Sequence, residues 1–129
     1  STRYESSAAS DVYKRQRLGH GVRSIEDADL VKEIIDKDII LETCPTSNIA
    51  TKIYKDYVDH PVKTLFDQGV KVTVNSDDPP FFNATINGEY KVMEDLGLNE
   101  KELTSLTHNA IKYSFCDDEN KNKLLAKLN

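Results

Sequence analysis

The sequence contains no apolar run longer than a few residues, so no segment of it is suited to span a bilayer. It opens without the basic-then-apolar leader and small-residue cleavage site of a secretory signal. Its 17 Lys and Arg are outnumbered by 22 Asp and Glu, giving a net charge of −5, and no basic stripe with interleaved aromatics stands out. That argues against a nucleic-acid partner. Two cysteines, Cys44 and Cys116, are too few for a disulfide framework, so reduced thiols and a cytoplasmic location are expected. What is present is the balance of a globular domain, 38% apolar and 30% charged over 129 residues.

Residues 1–16 stand apart. They hold Ser-Ser-Ala-Ala-Ser and no sustained apolar period, which predicts a poorly ordered terminus. The run from Ser7 to Gln16 also resembles a translated adapter sequence, so the fold is expected to occupy 17–129. From Arg17 onward the punctuation is regular. A strand end is expected near Arg17 to His20. Ser24 and Asp27 read as a capping pair before Ala28, Leu30, Val31, Ile34 and Ile35, which recur at helical spacing. Ile39-Ile40-Leu41 reads as a strand buried on both faces, ended by a loop at Cys44 to Asn48. Pro61 suits the first position of a helix capped by Asp59 or His60 and stopped at Gly69. Val70, Val72 and Val74 alternate with polar residues as in a strand, which Asp77-Asp78-Pro79-Pro80 terminates. The remainder reads as helices: one before Gly97, one capped by Asn99 with Glu102, and one opened by Asp117 to Glu119 with Leu124, Leu125 and Leu128 on one side. Strands alternating with helices imply parallel α/β architecture, and three strands suggest part of something larger.

Three motifs fall just after predicted strands, where parallel α/β proteins gather reactive groups. In Arg17-Leu18-Gly19-His20-Gly21 a histidine able to move protons near neutral pH sits between two glycines. In Cys44-Pro45-Thr46-Ser47-Asn48 proline stiffens a loop rich in local hydrogen-bonding groups, and Cys44 reads as a small buried side chain. In Asn75-Ser76-Asp77-Asp78-Pro79 two adjacent carboxylates repel, and a divalent metal is the usual compensating partner. If the pleat held through the motif, Asp77 and Asp78 would point to opposite sides and do different jobs. The bland alternatives are a turn, a structural loop and a helix-capping Asp. His60 and His108 have no ligand-spaced companions and read as structural. No Pro-Cys-x-x-Cys follows, which excludes a cytidine-deaminase type of zinc site.

Taken in order, these motifs and the intervening His60-Pro61 resemble the adenosine deaminase family over essentially 17–129. The resemblance implies a (β/α)₈ barrel of which this chain supplies the last three strands and closing helices. It implies a Zn²⁺ cofactor with Asp77 as a ligand. It makes His20 the residue that hydrogen-bonds the zinc-bound water and helps deprotonate it, and Asp78 the group that hydrogen-bonds the purine at N7. The family's His-x-His and His-Ala-Gly-Glu motifs are absent. They carry the other three protein ligands and the proton donor, so this chain alone is expected to be inactive. The implied reaction of the whole enzyme is hydrolysis of adenosine to inosine and ammonia, with a small-molecule substrate and no nucleic-acid or membrane partner. Gly19 and Thr46 favour adenosine, because relatives acting on free adenine tend to carry Asp and Leu there. Adenine deaminase and a non-catalytic barrel-derived scaffold are the alternatives.

Overall fold

The computed structural model describes residues 16–128. The expectation of a disordered leader falls almost wholly on residues outside that range. Gln16, the one leader residue within it, accepts a backbone hydrogen bond from Ile40 at 2.9 Å.

Three short strands, β1 (Arg17–Gly19), β2 (Ile40–Thr43) and β3 (Val72–Val74), form a parallel sheet in the order β1-β2-β3. Leu18 pairs with Leu41, and Leu41 with Val72. These three share one face, and the helices cover it. Val31 and Ile34 of α1 (Ala28–Asp36), Val62 and Leu65 of α3 (Val62–Asp67), Met93 of α5 (Ile86–Asp95) and Leu106 of α6 (Glu100–Lys112) close the core around them. The opposite face carries Arg17, Glu42 and Thr73, with the Arg17 guanidinium bound to the Glu42 carboxylate. In β3 the apolar–polar alternation does not mark a wet face, because Thr73 is as buried as its neighbours.

Helix boundaries follow local chemistry. Asp27 caps α1 by accepting from Asp29 N and Leu30 N, whereas Ser24 lies inside the 3-10 turn Val22–Glu26 and caps nothing. The loop expected at Cys44 to Asn48 is instead a short helix, α2 (Pro45–Ala50): Pro45 sits at its first position, where a missing N–H costs nothing. Pro79 and Pro80 open α4 (Pro79–Phe82) in the same way. The Asn99–Glu102 capping box of α6 is formed in full. The last helix, α7 (Asp118–Ala126), is capped by Asp117 but buries none of its residues, and Leu124 stays exposed. Among the described residues no helix is long and apolar enough to cross a membrane.

Because the strands are parallel and in register, the residues following all three emerge at one edge of the sheet. His20 N bonds Glu42 O and Asn75 N bonds Thr43 O, each at 2.9 Å, so the ladder runs one step past both strands and delivers all three motifs to that edge.

Candidate functional site

At that edge the chain makes two sharp local turns. His20 (φ 58°) and Asp77 (φ 59°) both adopt the left-handed region that non-glycine residues rarely occupy. Such backbone costs of order 1–3 kcal/mol and persists where surrounding structure enforces it. The next position after His20 favours glycine. Gly21 has φ 65°, and a Cβ there would lie 2.8 Å from the buried Leu41 side chain. These turns break the pleat that the sequence pattern extended through Asn75 to Asp77. They bring His20 Nε2 to 3.7 Å from Asp77 Oδ2.

Ser47 Oγ of α2 donates to Asp77 Oδ2 at 2.7 Å and holds the carboxylate toward the histidine. Asn75 Nδ2 donates to Thr43 O and Thr73 Oγ1, pinning the segment before Asp77. Asp78 goes elsewhere: it is exposed and caps α4, with its Oδ1 accepting from Phe81 N at 3.4 Å. The adjacent carboxylates therefore have different surroundings, and the capping alternative describes Asp78. A cavity of about 480 Å³ opens beside His20 and Asp77, walled by Ser47, Asn48, Ile53 and Phe82. His108 is exposed on α6 and takes no part.

Three neighbours were not legible as site residues. Cys44 is buried and brings its Sγ, with His20 nitrogen and Asp77 oxygen, into a group whose atoms lie within 4.8 Å of one another. Burial, with the negative charges of Asp77, Glu89 and Glu42, pushes its thiol up to about 12. Near neutral pH it therefore stays a thiol, and the imidazole and carboxylate are the ready donors. Glu89 of α5 is 1% exposed, and its Oε2 accepts from Thr46 N at 3.3 Å, tying α5 to the start of α2. Burial raises its pKa. A glutamate in a helix normally reads as a solvated face, and its contact 43 residues away carries no local signature.

His60 is the third. It is 3% exposed, its Nδ1 accepts from Val62 N at 3.2 Å at the start of α3, and its Nε2 lies 2.9 Å from Asn48 Oδ1. Burial lowers its pKa to about 4 from an ordinary 6.5. Between those values the unfolded chain binds a proton that the folded chain refuses, so stability from this group is complete above pH 6.5 and drains away toward pH 4. The shift corresponds to roughly 3 kcal/mol. Glu89, with its raised pKa, acts in the opposite sense at the acid end. Urea unfolding of the unsubstituted chain and His60→Gln at pH 7, 5.5 and 4 separates the two. The stability difference between the proteins should shrink or reverse on acidification, and a difference independent of pH would refute the assignment.

A zinc ion takes four ligands, in catalytic sites three from protein and one from water or substrate. The Asp77 carboxylate, already held by Ser47 and beside an imidazole, fits one corner of such a site. Among the described residues no second carboxylate or further histidine joins this group.

The family model described as adenosine deaminase matches residues 6–129. An adenine deaminase of Mesorhizobium japonicum is 48% identical over 123 residues, covering 95% of this chain and 38% of the relative. The crystal structure of an adenine deaminase from Arthrobacter aurescens superposes with a TM-score of 0.88 at 32% identity, covering 95% of this chain and 38% of that one. An amidohydrolase from Burkhoderia ambifaria, solved with bound Zn, shares the fold with a TM-score of 0.81 at 22% identity, over 93% of this chain and 34% of that one. The chain thus spans well under half the length of the proteins it matches.

Proposed function

Because the chain belongs to the adenosine deaminase family, we propose that it forms the C-terminal part, 17–129, of a cytoplasmic zinc-dependent enzyme that hydrolyses the 6-amino group of adenine. The observation that carries this reading is the convergence of His20 and Asp77 at the C-terminal edge of a parallel sheet, beside an open cavity, with Asp78 turned to separate work. The sheet supports the barrel placement. One face packs on helices, and the other bears the Arg17–Glu42 pair and Thr73, polar groups suited to the interior near a catalytic mouth.

In this reading Asp77 binds the metal, its free geometry limited by the Ser47 hydroxyl. Zinc, when bound, polarises water so that a nucleophile forms near neutral pH. His20 orients the attacking water over the ring carbon that bears the amino group. Asp78, which can donate to the N7 acceptor only through a protonated carboxyl, contacts the purine there, and Phe82 and Ile53 supply apolar wall to the cavity. The remaining ligands and the proton donor come from the part of the enzyme this chain does not span.

Adenine is preferred over adenosine on the strength of the relatives' names. The two residues that favoured adenosine in the sequence carry less weight in three dimensions. A Cβ on Gly19 would meet nothing within 4 Å, so space does not dictate glycine there. The Thr46 hydroxyl engages Tyr57 Oη at 3.1 Å. The test is a chimera in which residues 16–128 replace the matching segment of an adenine deaminase relative. Its kcat/KM for adenine should exceed that for adenosine at least about tenfold, a discrimination of ~1.4 kcal/mol. The reverse order would restore the adenosine reading.

A further inference from the structure

The hydrogen bonds around His60 define a direction. A backbone N–H only donates, so the contact from Val62 N makes His60 Nδ1 an acceptor. The buried ring is neutral at pH 7 and carries its single proton on Nε2. Tyr54 packs edge-on against the ring, with centroids 5.1 Å apart, and steadies it. His60 Nε2–H therefore donates to Asn48 Oδ1 at 2.9 Å. With its oxygen committed to His60, the Asn48 amide turns its NH₂ toward His20, where Nδ2 lies 3.5 Å from Nδ1, at the long end of hydrogen-bonding range. Asn48 is 1% exposed, and flipping its amide would set two donors against each other at His60. An NH₂ group has no acceptor to offer, so His20 Nδ1 accepts. Neutral His20 must then hold its proton on Nε2, the nitrogen that faces Asp77.

We propose that Asn48 and His60 are positioning residues that fix the tautomer of His20, through a relay running from the backbone of α3 to the candidate site. The relay turns an exposed imidazole, free in water to exchange between tautomers, into one that presents an N–H toward Asp77. Its catalytic meaning rests on the deaminase reading: His20 then orients the attacking water by donating to it. That differs from the deprotonating role the family resemblance implied. The tautomer assignment itself does not depend on any activity.

The experiment labels the 129-residue chain with ¹⁵N at its three histidines and records two-bond ¹H–¹⁵N correlations. At about pH 8.5, well above the ordinary imidazole pKa of about 6.5, neutral tautomers are read directly. His60 and His20 should both appear as Nε2–H. In Asn48→Asp the carboxylate still accepts from His60 but offers His20 only oxygen, so His20 should move to Nδ1–H. In Asn48→Leu, close in volume and unable to donate, His20 should show both tautomers. A packing role alone leaves the His20 pattern unchanged in both variants. His60 found as Nδ1–H in the unsubstituted chain overturns the relay without any variant, as does an unmoved His20 in folded variants. In the chimera, Asn48→Asp should lower kcat about tenfold or more, the scale of a lost outer partner. A folded, inert chimera alongside the expected tautomers would sink the deaminase reading and leave the relay standing.

Discussion

Asp77→Ala in the chimera should release the metal and abolish turnover, while Asp78→Ala should keep the metal and weaken purine turnover. The two side chains are neighbours in sequence and alike in chemistry, so any difference between the variants must come from where the fold points them. Asp77, forced into a left-handed turn at φ 59°, faces His20 and accepts from Ser47. Removing it deletes a charged ligand, and the loss of metal affinity should exceed the roughly 10–100-fold seen when only supporting partners are removed. Asp78 caps α4 and is exposed. Its removal costs about 1 kcal/mol of helix stability, typical of a lost cap, together with the contact to the base. Substrates lacking the purine N7 acceptor supply a control. They should be poor for the unsubstituted chimera and nearly insensitive to Asp78→Ala, because the contact is already gone. Metal analysis with kinetics decides the matter. Loss of metal in Asp78→Ala with retention in Asp77→Ala would exchange the two roles.

The second large effect is expected at His20. His20→Ala should slow the chemical step by on the order of 10²-fold or more, the range for a positioned group that handles the reacting water, with metal content near that of the parent. The side chain is exposed and lies outside the apolar core, so the fold should tolerate its removal. The left-handed backbone at this position, with Gly21 following, is the strained feature, and an alanine there adds modest cost. If the metal left with the imidazole, His20 would be a ligand and not a partner of the water. If neither metal nor rate changed, the convergence of His20 and Asp77 would be a structural turn contact only.

Much of this was legible because local rules and tertiary demands agree. The Asn99–Glu102 box and the apolar periods of α1 and α6 are each decided within a few residues, and the structure keeps them; Pro61, expected at the first position of its helix, stands one residue earlier as the N-cap of α3. The strands were found from short apolar runs bounded by turn residues, and their parallel pairing placed the three motifs at one edge. Errors arose where one residue type serves two ends. Pro45 was read as stiffening a loop, but the same fixed φ starts helix α2. Ser24 was paired with Asp27 as a cap, although Asp27 performs that work alone. The alternation in β3 marked a strand correctly but said nothing of burial, and Thr73 is buried along with Val72 and Val74. Hidden altogether were the contacts whose partners lie far apart in sequence: Glu89 with Thr46, Ser47 with Asp77, and the His60–Asn48–His20 series. His60 was read as structural from its place before Pro61. That is half its role, because its ring serves the start of α3 with one nitrogen and faces Asn48 with the other.

If this chain carries one share of a purine deaminase centre, as proposed, it needs the rest of the enzyme to act. Ammonia release from adenine, measured in parallel for the 129-residue chain and for the chimera at matched concentration and supplied with zinc, tests it most directly. One carboxylate cannot complete a four-coordinate site, so the chain alone should neither retain stoichiometric zinc nor release ammonia. The chimera should do both. Turnover by the isolated chain with one tightly bound zinc, or a folded and zinc-loaded chimera that leaves adenine untouched, would contradict it.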